Sequence, residues 1–320
     1  MKALFPIAIA MLFLFTGCVD SSQNWSEARI TIDGLERLFR IYTPAGLADG
    51  APLVILLHGG TGDMYSVVDN RHAGSREWTA IADEERLLLL VPNGINRDTG
   101  EGSGTNQEWN DCRGDSTSSS MADDVEFVRA LIDWAVLNHA IDENRVYATG
   151  ASNGGMMSFR LAIELSDRIA AIAAFIANVA AVSDCSAPST PVPVFICNGT
   201  EDPLVPWEGG GVIYGRSGTV ISAPATRDFW IEANGCDPVP VESFDLPDLY
   251  PEDDATVHGD RYASGSGVEV LFYTVQGGGH NIPSLRRSNF PLGIFGSQNR
   301  DIEGARHAWE FLKRFSKPPA

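Results

Sequence analysis

The chain has 320 residues, of which 44% are hydrophobic and 20% charged, and a formal net charge of −19 at pH 7. That balance supplies apolar material for a substantial core and rules out a chain disordered throughout. The charge argues against nucleic acid, whose phosphates need clustered Lys and Arg, and against adsorption to anionic lipid surfaces.

Met1-Lys2 precedes an apolar run from Ala3 to Phe15 and then Thr16-Gly17-Cys18. A short positive start and an apolar stretch of this length read as a secretory signal over residues 1–17, too short for a spanning helix. Phe15-Thr16-Gly17-Cys18 resembles the bacterial lipobox, in which the cysteine is lipidated and becomes the mature N-terminus, although Phe15 stands where Leu is usual. The expectation is an exported lipoprotein held to a membrane through Cys18, with residues 18–28 as a tether and 29–320 as the folded domain. A plainly secreted protein is the alternative.

From Arg29 onward strands and helices alternate. Arg29–Ile32 and Leu38–Tyr42 flank Asp33-Gly34 and predict an opening hairpin. Pro52–Leu57 and Leu87–Val91 are short continuous apolar runs, as expected of strands buried on both faces, with a helix over Trp78–Arg86 between them. A polar loop follows from Asn93 to about Ser119, a length that marks a functional surface or an insertion. Ser120-Met121-Ala122-Asp123 fits a capping box, after which Val125, Val128, Leu131, Ile132 and Ala135 recur at helical spacing. Strands are expected at Arg145–Thr149, Ile169–Ile176, Val192–Cys197 and Val268–Val275, and helices at Met156–Leu165 and Thr226–Ala233. A closing helix places Ile302, Ala305, Trp309, Leu312 and Phe315 on one face. Such alternation implies an α/β fold, a mostly parallel sheet with helices on both sides.

Four cysteines lie beyond the signal: Cys112, Cys185, Cys197 and Cys236. Export permits disulfides, and four cysteines allow three full pairings that spacing does not rank. Cys197, inside an apolar strand, is expected to be a buried free thiol. No C-x-x-C pair or close His/Cys set suggests zinc, and no metal or other cofactor is expected.

The chemistry centres on Gly150-Ala151-Ser152-Asn153-Gly154, a G-x-S-x-G with a strand before it and a helix after it. There the serine occupies a strained strand-to-helix turn, where the chain passes too close for side chains at the flanking glycines. A hydroxyl is a weak nucleophile at neutral pH, so Ser152 needs a base, and the base needs an orienting carboxylate. In the α/β-hydrolase arrangement the order along the chain is Ser, then Asp or Glu, then His. His280 follows a strand through Gln276-Gly277-Gly278-Gly279 and is the expected general base and acid, whereas His258 sits in acidic surface and His307 inside the last helix. Asp202, just past Val192–Cys197, is the first choice for the carboxylate and Glu201 the second. The tetrahedral intermediate needs two donors for its oxyanion. They are expected from the backbone N–H of Asn153 and from that of Gly60 or Thr61 in His58-Gly59-Gly60-Thr61-Gly62. His58 itself reads as a loop brace.

Gly150 through Met157, together with Leu165-Ser166-Asp167-Arg168-Ile169-Ala170-Ala171-Ile172-Ala173, resembles the exported poly(3-hydroxybutyrate) depolymerases and feruloyl esterases of the carbohydrate esterase family 1 type. Gly199-Thr200-Glu201-Asp202-Pro203-Leu204-Val205-Pro206-Trp207 and Gly277-Gly278-Gly279-His280 match that family's acid and histidine segments. Leu57-His58-Gly59-Gly60 matches its oxyanion loop, and Glu108-Trp109-Asn110 its tryptophan loop. The resemblance covers nearly all of residues 35–315. It implies the α/β-hydrolase fold, a serine esterase working through an acyl-enzyme, and the set Ser152, Asp202 and His280. Departures exist: Trp207 stands where Tyr is commoner, Asn281-Ile282-Pro283 replaces Thr-Trp-Pro, and the family cysteine before the last strand is absent, leaving Cys236 without its customary partner. Trp109, Trp207 and Tyr214 are candidates for the substrate pocket. The substrate expected is a feruloyl or acetyl ester on plant polysaccharide or a hydroxyalkanoate oligomer. A serine peptidase of the same fold and a non-catalytic binding lipoprotein are the competing readings.

Overall fold

A computed structural model describes residues 24–69, 72–116, 122–213 and 217–318. The expected signal, its Cys18, the pocket candidate Tyr214 and the capping residue Ser120 lie outside the described residues. The chain enters through β1 (Trp25–Ile32) and β2 (Leu35–Tyr42), paired antiparallel from Trp25↔Tyr42 to Ile32↔Leu35. Asp33 and Gly34 both take positive φ, 49° and 81°, the mirror-image turn that matches strand twist in a two-residue hairpin. The domain therefore begins before the expected boundary at residue 29. Trp25 stacks edge-on against Tyr42 and lies under the Arg40 guanidinium, so residues 25–28 belong to the sheet and not to the tether.

Eight further strands complete one ten-stranded sheet: β3 (Leu53–Leu57), β4 (Leu88–Pro92), β7 (Val146–Ala151), β8 (Ala171–Phe175), β9 (Val194–Gly199), β12 (Glu242–Asp245), β13 (Thr256–Ala263) and β14 (Glu269–Gln276). Its order is β1-β2-β4-β3-β7-β8-β9-β14-β13-β12, with β4, β3, β7, β8, β9 and β14 parallel and the remaining pairings antiparallel. Two small ribbons lie outside it: β5 (Ile95–Asn96) with β6 (Gln107–Glu108), and β10 (Gly210–Gly211) with β11 (Thr219–Val220). The first ribbon gives internal structure to the long loop expected over 93–119.

Every residue of β3, β4, β8 and β9 is buried, because helices cover both faces. Leu53, Ile55 and Leu57 face a core built with α2 (Asp124–His139), α3 (Asn153–Glu164) and α4 (Ala223–Ala233). Val54 and Leu56, one residue out of phase, face α1 (Ala73–Glu85) and α6 (Gly304–Leu312) on the other side. A short α5 (Leu292–Phe295) lies in the segment after His280. Helix α2 is capped by Asp123, whose carboxylate accepts the Glu126 N–H at 2.9 Å, in place of the Ser120 cap that the sequence suggests. Helices α1 and α3 start five and three residues earlier than expected. His258 sits at the surface as expected, on the edge hairpin β12–β13, where its Nδ1 meets Asp245 at 2.7 Å, and the acidic residues 251–254 lie in the connection between the two strands. Among the described residues no helix is long and apolar enough to cross a membrane.

Candidate active site

Strand β7 ends at Ala151, and Ser152 turns the chain into α3 with φ 57° and ψ −126°. A non-glycine residue in that region costs on the order of 1–3 kcal/mol and persists only where its surroundings over-determine it. Here they do. The Ser152 N–H donates to the Phe175 carbonyl at 2.9 Å, and the Ser152 carbonyl accepts from Met156 at 2.9 Å. A Cβ at Gly150 would lie 2.6 Å from the Gly154 carbonyl carbon and 2.8 Å from the Leu57 oxygen, and one at Gly154 would strike the Leu57 and His58 oxygens. The two glycines thus let strand β3, the turn and the helix meet backbone to backbone.

Asp202 and His280 are brought together from the ends of β9 and β14. The His280 ring donates through Nδ1 to Asp202 Oδ2 at 2.7 Å, with both side chains almost fully buried. The other carboxylate oxygen accepts the N–H groups of Leu204 at 2.8 Å and Val205 at 2.9 Å. Glu201, the second choice, is exposed, and its backbone N–H goes to the Gly278 carbonyl. The close approach of the two segments needs a glycine at 199: a Cβ there would lie 2.7 Å from the Gly279 oxygen and nearer still to that of Gly278. Ser152 and His280 line one cavity of about 600 Å³, together with Gly60, Thr61 and Asn153. No hydrogen bond joins the Ser152 hydroxyl to the ring.

The loop after β3 is braced from behind. His58 is buried, with Nδ1 at 2.8 Å from the Gly59 carbonyl and Nε2 accepting the Gly94 N–H at 3.0 Å. Burial pushes its pKa down to about 4, so the ring is neutral and its tautomer is set by these two partners. Thr61 in this loop has φ 61°, and the loop closes through the Gly62 N–H on the Gly59 carbonyl. A Cβ at Gly59 would sit 3.7 Å from Ser152 Cβ, which puts this backbone beside the nucleophile candidate.

Two pocket candidates lie elsewhere. Trp109 has no exposed surface; its indole donates to the His58 carbonyl at 2.9 Å and packs on the His58 ring at 4.7 Å. It supports the loop from below and does not form the cavity wall. Trp207 is half-buried against the core, 5.9 Å from Phe272 between ring centroids, also off the cavity. The apolar wall comes instead from Leu204, Val205, Ile282, Phe290 and Phe295, with Arg113 contributing a buried cation. Phe290 also meets His72, 4.7 Å between centroids, across one end of the cavity. The segment carrying Phe290 and α5 was missed by sequence reasoning; its one signal is the apolar Phe290-Pro291-Leu292-Gly293-Ile294-Phe295 so soon after a histidine. Of the cysteines, Cys112 and Cys185 form a disulfide, while Cys197 and Cys236 are free and buried.

Residues 43–217 match the model of a protein family described as Phospholipase/Carboxylesterase. The chain is similar to NocK of Nocardia uniformis subsp. tsuyamanensis, named as an esterase, at 29% identity over 88% of this chain and 81% of that one. It is similar to feruloyl esterase D of Neurospora crassa at 24% identity, covering 97% and 93% of the two chains. Among solved structures, an acetyl xylan esterase from Aspergillus awamori aligns with a TM-score of 0.55 at 15% identity, over 81% of this chain and 95% of that one, a likeness of fold. The family model spans more than half of the chain, which belongs to the phospholipase/carboxylesterase family and is an ester hydrolase with the α/β-hydrolase fold.

Proposed function

We propose that this esterase works through an acyl-enzyme on Ser152. His280 Nε2 takes the hydroxyl proton as Oγ attacks the ester carbonyl, and the tetrahedral oxyanion is received by the N–H of Asn153 and of Gly60 or Thr61. Collapse breaks the bond to the alcohol, which leaves with the proton from His280. Water then repeats the sequence: His280 takes its proton, hydroxide adds to the acyl carbon, and Ser152 departs reprotonated with the acid released. Asp202 holds the ring with its proton on Nδ1 and stabilises the imidazolium in each half. One observation carries this reading. Asp202 is a buried carboxylate whose two oxygens are divided between two backbone amides and His280, and His280 shares its cavity with a serine strained by its turn.

The acyl group we favour is aromatic. A cavity of about 600 Å³ walled by Phe290 and Phe295 falls in the size range of small-molecule sites and exceeds what an acetyl group needs. The similarity to a feruloyl esterase supports the same choice. The N-terminal segment supports export with lipid on Cys18, to be tested by metabolic labelling with a fatty-acid probe that a Cys18→Ser variant should fail to take up. The test of the reaction is hydrolysis of p-nitrophenyl butyrate by the mature protein and by Ser152→Ala, which should be inactive. Wild-type turnover in the alanine variant would remove Ser152 from the chemistry. A panel of methyl ferulate, acetylated xylan and hydroxybutyrate oligomers then decides the substrate, and preference for either of the last two would overturn the aromatic reading.

A further inference from the structure

Asp111 is a buried carboxylate shared between two partners, Asn153 and Arg113. Its Oδ2 accepts from Asn153 Nδ2 at 2.6 Å and from Arg113 Nη2 at 2.8 Å, while Arg113 Nε lies 3.0 and 3.2 Å from the two oxygens. Asn153 is the first residue of α3, so its backbone N–H has no partner within the helix. Its peptide plane is held on one side by the Ser152 carbonyl, which accepts from Met156 at 2.9 Å, and the Asn153 side chain adds a second anchor. Asn153 Oδ1 accepts the Trp109 N–H at 2.8 Å and Nδ2 donates to the Trp109 carbonyl at 3.1 Å, in addition to Asp111. Three hydrogen bonds therefore anchor this residue from the end opposite to its backbone amide.

The segment that carries Asp111 is itself tied down. Cys112, its neighbour, is bonded to Cys185, and the Asp184 N–H and Gly114 N–H donate to the Cys112 and Val182 carbonyls at 2.9 and 2.8 Å. Arg113 binds the carbonyl of Ser217 through Nη1 and lines the cavity. A lone carboxylate in this position would oppose a developing oxyanion. Paired with Arg113, it can hold Asn153 without placing net negative charge beside the reacting carbonyl.

We propose that Asp111 is a positioning residue that aims the Asn153 N–H at the oxyanion by gripping the Asn153 side chain, with Arg113 cancelling its charge and the Cys112–Cys185 bond fixing its loop. This rests on the reading of Ser152 as nucleophile. Misplacing a transition-state donor lowers kcat and leaves substrate binding nearly unchanged, whereas a general loosening of the fold lowers the melting temperature and the active fraction.

The experiment compares Asp111→Asn, Asn153→Ala and the double variant of the mature protein, with p-nitrophenyl butyrate as substrate and phenylboronic acid as a tetrahedral mimic. Each single change should lower kcat by roughly 10- to 100-fold with KM within about threefold, and should weaken the boronate in step with kcat/KM. The double variant should lose no more than the worse single one, because both remove the same grip. Wild-type kcat in either single variant, unchanged boronate affinity, or losses that multiply in the double would overturn the proposal. If Asp111→Asn does not fold, Asn153→Ala decides alone, since it leaves the Asp111–Arg113 pair in place. Ser152→Ala separates the two levels: activity surviving there removes the nucleophile reading, while an inactive Ser152→Ala beside a fully active Asn153→Ala removes only the role of Asp111.

Discussion

Replacing Asp202 by Asn exchanges one oxygen for nitrogen in a carboxylate whose two oxygens have different neighbours. Oδ1 faces two donors, the N–H groups of Leu204 and Val205 at 2.8 and 2.9 Å, so only the amide oxygen fits there. The new NH₂ must then take the place of Oδ2, 2.7 Å from His280 Nδ1. A donor on that side forces Nδ1 to accept and moves the ring proton to Nε2, where it blocks removal of the proton from Ser152. All hydrogen bonds remain satisfied, so the fold should lose only about 1 kcal/mol, or roughly 2 °C in Tm for a chain of this size. Catalysis should lose far more. The same substitution in serine proteases that use this relay lowers kcat by about 10⁴-fold, which is about 5.5 kcal/mol of barrier. Steady-state hydrolysis of p-nitrophenyl butyrate, with melting curves on the same samples, measures both. Glu201→Gln, a change at an exposed neighbour, serves as the control and should match wild type. An Asp202→Asn enzyme that melts normally and keeps kcat within tenfold of wild type would refute the tautomer argument.

Two further outcomes concern stability. The Cys112–Cys185 bond closes a loop with a sequence separation of 73, so replacing both cysteines by Ser should cost about 4 kcal/mol by chain entropy, on the order of 7 °C in Tm, and an unchanged calorimetric Tm would contradict this. Glu303, which accepts the Ser284 hydroxyl at 3.0 Å, has its pKa pushed up to about 7 by burial, from an ordinary value of 4.5. A carboxyl whose folded pKa is raised is most stabilising while protonated; that contribution is complete below 4.5 and lost as pH rises through about 7, on the order of 3 kcal/mol in all. Glu303→Gln should therefore melt above wild type near pH 8 and close to it near pH 5, and equal differences at the two pH values would show that Glu303 does not titrate in this window.

Strands β3, β4, β8 and β9 were legible in the sequence because burial on both faces leaves an unbroken apolar run, which no other element of similar length requires. The starts of α1 and α3 were not, because their first turns are chosen for close approach and not for periodicity. A Cβ at Gly74, for example, would lie 2.6 Å from the Ile282 side chain. The β12–β13 hairpin was missed for the opposite reason: its cross-strand partners are charged, as in Glu242 and Arg261 at 3.0 Å, so it reads as surface. That Asp202 meets His280, and that His280 shares a cavity with Ser152, could be anticipated because each of the three follows an apolar strand at the edge where ligands gather. Trp109 could not be placed, since an aromatic residue in a loop can face the cavity or the core, and only the hydrogen bond of its indole to the His58 carbonyl tells which. Phe290 joins the site through a contact with His72, more than two hundred residues away in the chain, that no local pattern encodes.

The sheet itself accounts for why such distant residues meet. Strands β3 and β7 are neighbours, with Leu57 opposite Gly150, and they deliver the candidate oxyanion loop and Ser152 side by side. Strands β9 and β14 are neighbours too, with Gly199 opposite Val275, and they deliver Asp202 and His280. Strand β8 lies between the two pairs and closes the gap, its Phe175 carbonyl holding the Ser152 N–H. In each pair a glycine lets backbone meet backbone: Gly150 against the Leu57 oxygen, Gly199 against the oxygens of Gly278 and Gly279. Contacts of that kind have no rotamers to relax through. The separation of Ser152 and His280 is thus set by sheet register, and a single methyl group at Gly150 or Gly199 should disturb it more than the loss of a larger side chain from the cavity wall.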